Sequence, residues 1–331
     1  MISVVFTCGD INGIGPEIVV KSFNRIARKK NSLIFVCPGN VFLKTIKSIP
    51  PEFDFQIIKS PEFISKERVN VLDIGEYELN PGSPSRISGR VSFDSLKTAF
   101  GLIQQKKADA LVTAPISKTA LKMAGIKFPG HTEILAGWTN QKKYLMTFLS
   151  PKFNAALVTI HEAIKQVPSL ITREKIFDSL NIITQSAKID FRIKKPKIAV
   201  LGLNPHAGEN NIIGYEEYKI ISPVIKKFNK RLFVEGPFSP DAFFANKRFV
   251  EFDFVLGMYH DQILIPFKMM NFSNGVNFTA GLPMVRTSPD HGTAFDIAGK
   301  NIADPDSIIA AYNYAIKIVK NRIYYARFRK S

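Results

Sequence analysis

The sequence predicts an α/β protein built on a largely parallel sheet, and three observations lead there. Short apolar, β-branched runs alternate from end to end with longer segments of helical spacing, the pattern of βαβ units. Those runs are continuously apolar, as strands covered on both faces are. The length, 331 residues, suits one large domain or two ordinary ones. Repeats, low-complexity tracts and linkers are absent from the chain, so its domains are expected to pack closely.

In order, Ser3–Cys8 reads as a strand and Pro16–Ala27 as a helix, with Pro16 presetting the first turn. Leu33–Val36 and Val69–Asp73 read as strands. Leu96, Ala99, Phe100 and Ile103 share one face of a helix over about Ser92–Lys107. A strand at Ala110–Thr113 and a short helix from Lys118 follow. His131 and Thr132 open another helix after Phe128–Gly130, a candidate crossover between domains. Strands at Tyr144–Leu149 and Ala155–Ile160 precede a helix at Thr172–Ala187. Beyond them come a strand at Ile198–Leu201, a helix over about Tyr215–Phe228, a strand ending at Tyr259, strand pieces near Val276 and Met284, and a closing helix at Pro305–Ile323.

Composition narrows the class. Apolar residues make up 45% of the chain and the mean hydropathy is +0.02, values of a globular protein. No apolar stretch approaches the ~20 residues of a membrane span. The N-terminus has no basic segment and runs straight into a strand, so no signal peptide is expected and the cytoplasm is the expected compartment. Cys8 and Cys37 are too few for a disulfide framework and lack zinc-ligand spacing. The formal charge of +17 raises nucleic-acid binding. Its cations, however, lie in short clusters (Arg25–Lys30, Lys194–Lys197, Lys226–Arg231, Arg327–Lys330) that mostly follow amphipathic helices, where they suit the negative dipole end. Zinc-finger spacing and RNP-like aromatics are missing. A solvated surface that favours small anionic substrates is the plainer reading.

Three of the five histidines stand just past apolar runs: His161 after NAALVTI, His206 after KIAVLGLNP and His260 after FDFVLGMY. In open α/β sheets ligands bind beyond the carboxyl ends of strands, so these imidazoles can converge on one pocket. Three neutral nitrogens with a fourth position open suit a catalytic divalent metal. Asp241 and Asp261 can orient such ligands or cap helices. Gly9–Glu17 joins a strand to a helix with three glycines, among them Gly13 and Gly15, that let backbone approach a ligand. The G-x-G-x-x-G spacing and the later acidic residue of a dinucleotide fingerprint are both missing. His131 and Thr132 at a helix start form either an anion site or an N-cap. Arg286 ends an apolar stretch and suits bidentate anion binding, whereas Lys268 gains weight only from company. In DHGTAFDIAGK, small residues around His291 and Gly292 can make a flat bed for adenine. Asp296 can take ribose hydroxyls, favouring NAD over NADP.

HGTAFDIAGK…ADP resembles the adenine loop of the β-decarboxylating dehydrogenases of isocitrate and isopropylmalate type, whose GDGIGPE is echoed by GDINGIGPE. The fuller set GDINGIGPE, VTAPISK, GIKFPGHTE, GLNPHAGENNIIGYEE, MYHDQ and GVNFTAGLPMVRTSPDHGTAFDIAG, in order over nearly the whole chain, is more similar still to the 4-hydroxythreonine-4-phosphate dehydrogenase family. That resemblance implies two α/β/α domains with a cleft between them, here 1–128 with 293–331, and 129–292. It implies metal-dependent, NAD-linked oxidation (NADP being possible) of a phosphorylated amino acid in pyridoxal phosphate biosynthesis, with decarboxylation of the product. It also implies a divalent cation (zinc, cobalt or magnesium) on His161, His206 and His260. Substrate contacts then fall at His131, Thr132, Lys268, Asn277 and Arg286. In the chemistry, Lys268 is also a catalytic candidate, and either Asp241 or a metal-bound water can accept the hydroxyl proton. A homodimer with shared sites is implied, with neither membrane nor nucleic acid as partner. Two departures stand out: Asp10-Ile11-Asn12 replaces an acidic residue, Pro and Ala, and Asn210-Asn211 stands where a Gly is common. The rivals are a dehydrogenase of 4-phospho-threonate or -erythronate and a metal-dependent hydrolase.

Overall fold

The computed structural model describes residues 1–27, 31–128, 130–229, 233–271 and 273–328. Pro129 of the candidate crossover lies outside the described residues, as do Arg28–Lys30, Lys230–Arg231 and Arg329–Lys330 of the basic clusters. The chain divides into two compact units, Met1–Asn140 with Pro283–Lys320, and Gln141–Leu282 with Asn321–Ser331.

In the first unit the strands are β1 (Ser3–Thr7), β2 (Ser32–Val36), β3 (Phe55–Ile58), β4 (Val69–Leu72), β5 (Ala110–Thr113) and β12 (Val285–Pro289). They run in the order β3-β4-β2-β1-β5-β12, and every pairing is parallel. Its helices are α1 (Gly15–Ile26), α2 (Gly39–Ser48), α3 (Arg86–Gln104), α4 (Lys118–Met123) and α5 (His131–Trp138). The core is aromatic. Phe6 meets Phe23 edge-on at 5.0 Å, Phe23 meets Phe35 at 5.8 Å, and buried Tyr312 stacks over Phe6.

The second unit holds β6 (Leu145–Leu149), β7 (Ala155–Leu157), β8 (Lys197–Leu201), β9 (Phe233–Phe238), β10 (Phe254–Gly257) and β11 (Val276–Ala280), in the order β11-β6-β7-β10-β8-β9. Here the sheet is mixed: β6 runs antiparallel to both neighbours, while β7, β10, β8 and β9 are mutually parallel. The helices are α6 (Val167–Leu170), α7 (Arg173–Asp190), α8 (Ser222–Asn229), α9 (Pro240–Ala245) and α10 (His260–Met270), and α11 (Asp306–Phe328) closes the chain. Phe153, Phe243, Phe249, Phe252 and Phe267 form one buried cluster.

Several elements depart from expectation. The helix expected from Ser92 starts at Arg86, because Ser85 and Ser88 cap each other reciprocally. Gly89 in its first turn weakens the helical signal but is needed, since a Cβ there would stand 2.0 Å from the Ala120 carbonyl of α4. The strand expected to reach Ile160 ends at Leu157, although the Val158 and Thr159 amides still donate to Gly257 and Met258. The helix expected over Tyr215–Phe228 is wound more widely at Glu217–Ile221 before α8 begins. There Glu217 turns inward and accepts from the Leu203 and Asn204 amides, both at 2.7 Å. The strand piece near Met284 is β12, and the sequence pattern does not announce α2, β3, α6, β9, α9 or α10.

Candidate active site

The first unit brings His131 close to Arg286. Arg286 stands on β12 opposite Leu111 of β5, and its guanidinium is buried, 3% exposed. Nε and Nη2 both donate to the Thr113 hydroxyl, at 3.1 and 2.8 Å, which fixes the plane of the fork. Burial pulls the guanidinium pKa down to about 10, an effect that Glu133 opposes. His131, the first residue of α5, is buried beside it. Desolvation and then the Arg286 charge hold its pKa well below the usual imidazole value, so it is neutral. Its Nε2 meets no hydrogen-bond partner among the described residues. Thr132 follows, also buried, in the helix's first turn, where the helix dipole favours an anion. Three of the expected substrate contacts thus gather in one place. Thr113, which locks the arginine, was missed; its only signal was its position at the end of a strand in VTAPISK.

The second unit holds the candidate metal ligands. His161 lies beyond β7 and His260 opens α10, and their rings sit 5.6 Å apart between centroids, tilted by 40°. Asp261 Oδ1 lies 2.7 Å from His260 Nδ1, which leaves Nε2 for a ligand. Two imidazoles so placed suit a divalent ion in donor chemistry. His206 is exposed on the loop after β8, which Glu217 and Asn204 shape through bonds of 2.7–2.9 Å. His206 adds to the forces on Asp241, whose carboxyl is held below its usual range by the Ser239 hydroxyl first and the Ala242 amide next. Among the described residues no three His, Cys, Asp or Glu side chains gather closely enough to hold a metal ion. Lys268 lies exposed on α10, and Asn277 on β11 has a buried Oδ1 with no partner among the described residues.

Back in the first unit, the two glycine-bearing loops meet. The Ile14 amide donates to the Thr293 carbonyl at 3.0 Å, and a Cβ on Gly13 would stand 2.7 Å from that oxygen. Gly15 serves packing, since a Cβ there would stand 2.1 Å from the Cys8 carbonyl. A cavity of about 200 Å³ opens beside them, lined by Ile11, Gly13, Glu17, Lys44, Gly299 and Asn301 among others. Glu17 Oε1 accepts from Lys21 and from the Ala303 amide, both at 2.8 Å, while its buried Oε2 has no partner among the described residues. His291 Nδ1 lies 3.1 Å from its neighbour's carbonyl, and Gly292 and Asp296 are exposed.

The fold and these groups define an α/β enzyme that handles an anionic substrate. The family model of the pyridoxal phosphate biosynthetic protein PdxA matches residues 29–315, and the chain belongs to that family. It is 41% identical over 323 residues to the 4-hydroxythreonine-4-phosphate dehydrogenase of Sulfurihydrogenibium sp., covering 97% of this chain and all of the relative. A crystal structure of the Klebsiella pneumoniae enzyme of the same name superposes with a TM-score of 0.83 at 34% identity, covering 96% of this chain and 100% of that one. An Oceanobacillus iheyensis protein provisionally named D-threonate 4-phosphate dehydrogenase is 38% identical, with 96% of this chain and 97% of the relative covered. The chain is therefore a dehydrogenase, which sets aside the hydrolase reading. Its α/β architecture is the one shared by β-decarboxylating dehydrogenases.

Proposed function

We propose that this chain oxidises 4-hydroxy-L-threonine 4-phosphate at its secondary hydroxyl, with NAD as acceptor (NADP being a second possibility). The β-keto acid formed loses CO2 to give 3-amino-2-oxopropyl phosphate, on the route to pyridoxal 5′-phosphate. The observation that carries the reading is the buried Arg286–Thr113–His131 cluster at the start of α5, which fits a phosphate or carboxylate.

Arg286, His131 and Thr132 bind and orient the anionic end of the substrate. Lys268 and Asn277 are the further contacts that the family resemblance implies, and the Asn277 oxygen is buried with no partner among the described residues. Asp241, kept ionised by Ser239, the Ala242 amide and His206, or a metal-bound water would accept the hydroxyl proton. His161, His206 and His260 would hold the divalent cation, whether zinc, cobalt or magnesium. Such a cation would supply Lewis-acid chemistry, lowering the pKa of the substrate hydroxyl. A nicotinamide ring supplies the hydride acceptor. Gly13 and the loop of His291, Gly292 and Asp296 would hold the dinucleotide, with Gly15 shaping the first loop. Support comes from the neighbouring cavity and its orphaned Glu17 oxygen.

A homodimer with shared sites accounts for there being no third ligand beside the histidine pair among the described residues. It also accounts for Ile212 and Tyr218, 80% and 68% exposed, just beyond His206 in sequence. The name of the Oceanobacillus relative favours a second reading, in which a hydroxyl replaces the substrate's ammonium. Turnover of 4-hydroxythreonine phosphate against threonate 4-phosphate tests the choice. A kcat/KM at least tenfold higher for the amino acid supports the first reading, and the reverse order supports the second.

A further inference from the structure

We propose that His131 takes up a proton from solvent when a tetrahedral dianion enters the pocket it shares with Arg286, and so selects doubly charged phosphate esters over singly charged anions. This rests on the pocket being the substrate's anion site. The imidazole is 9% exposed, and its Nε2 is buried without a partner among the described residues. It opens α5, at the end of the helix where the dipole favours negative charge. The charged group facing it is Arg286 of β12, fixed on Thr113 of β5. Glu133, on the same helix as His131, acts on Arg286. Helix α3 meets α5 where Phe93 and Phe100 pack on Trp138, and its Arg90 is paired with its own Asp94.

In the free protein, burial and the neighbouring guanidinium both oppose a second positive charge, so the ring is neutral. A dianion reverses the local balance, because one of its charges is met by Arg286 and the other is left over. Protonated Nε2 then donates a charge-assisted hydrogen bond, roughly twice as strong as a neutral one. The Nε2 lone pair gains one proton on binding and returns it on release. A monoanion is already matched by Arg286 and gives the ring no cause to charge.

Sulfate tests this well, being a dianion across the working range with no proton of its own to give. Calorimetric titration of the full chain with sulfate from pH 6.5 to 8.5, in two buffers of different ionisation enthalpy, counts the protons. Uptake close to one proton is expected, with sulfate Kd rising by up to about tenfold per pH unit. Methanesulfonate should bind without uptake, and His131→Gln should remove both the uptake and the pH slope. Wild-type binding without uptake, or uptake undiminished in His131→Gln, overturns the proposal while leaving the anion site intact. Failure of sulfate to bind the wild type overturns the site reading and the proposal together.

Discussion

Arg286 keeps its charge in a place that water scarcely reaches, supported by the Glu133 carboxylate and by the Thr113 hydroxyl that accepts from its guanidinium. Thr113→Val keeps the shape of the side chain but removes the acceptor of two guanidinium N–H groups. A hydrogen bond to a charged group contributes about 1.5–3 kcal/mol. Substrate KM should therefore rise at least tenfold in initial-rate assays, with kcat changed less. An unchanged KM would mean that the arginine does not touch substrate. His131 gives a pH signature in stability. Its folded pKa lies below its unfolded value near 6.5, so the unfolded chain binds the extra proton first and stability falls as pH drops below about 6.5. Denaturant titrations at pH 7 and pH 5 should show that loss in the wild type and less of it in His131→Gln; equal losses would count against a buried neutral imidazole.

At the scale of elements, the first unit's glycines act through close approach. Gly89 lets α3 lie against α4, and an added Cβ would stand 2.0 Å from the Ala120 carbonyl. Overpacking of this kind costs about 1–3 kcal/mol. Gly89→Ala should lower the melting temperature by several degrees in calorimetry, and a melt at the wild-type temperature would contradict the contact. The apolar runs announced most strands, because a buried parallel strand leaves an unbroken β-branched signature. The start of α3 was hidden because Gly89 and the flanking serines are poor helix formers that capping and packing override. The antiparallel β6 was equally hidden, since a run such as Leu145–Leu149 carries no mark of direction. The wide turn at Glu217–Ile221 depends on a carboxylate bonding to a loop more than ten residues away, which no local pattern reports.

Over the whole molecule, long motifs made the family legible from the residues alone, while the assembly of the site was legible only in part. His131 and Thr132 come close to Arg286 in the first unit, and His161 comes close to His260 in the second. The strand pattern says nothing of Thr113, a positioning group on a neighbouring strand. Nor can it say whether His206 meets His161 and His260 within one chain or across two. Size-exclusion chromatography with light scattering should give a dimer, and a chain that stays monomeric at micromolar concentration would contradict the shared site. His206→Ala should lose bound metal and activity together, read by elemental analysis and rate, whereas Arg286→Ala should keep its metal and lose substrate use.

The most direct measurement is NADH formation from 4-hydroxythreonine 4-phosphate by the purified chain, followed before chelation, after chelation and after return of a divalent ion. Turnover that disappears with the chelator and recovers with zinc, cobalt or magnesium is the predicted result. Full turnover in the chelated protein, or none under any of the three conditions, would contradict it.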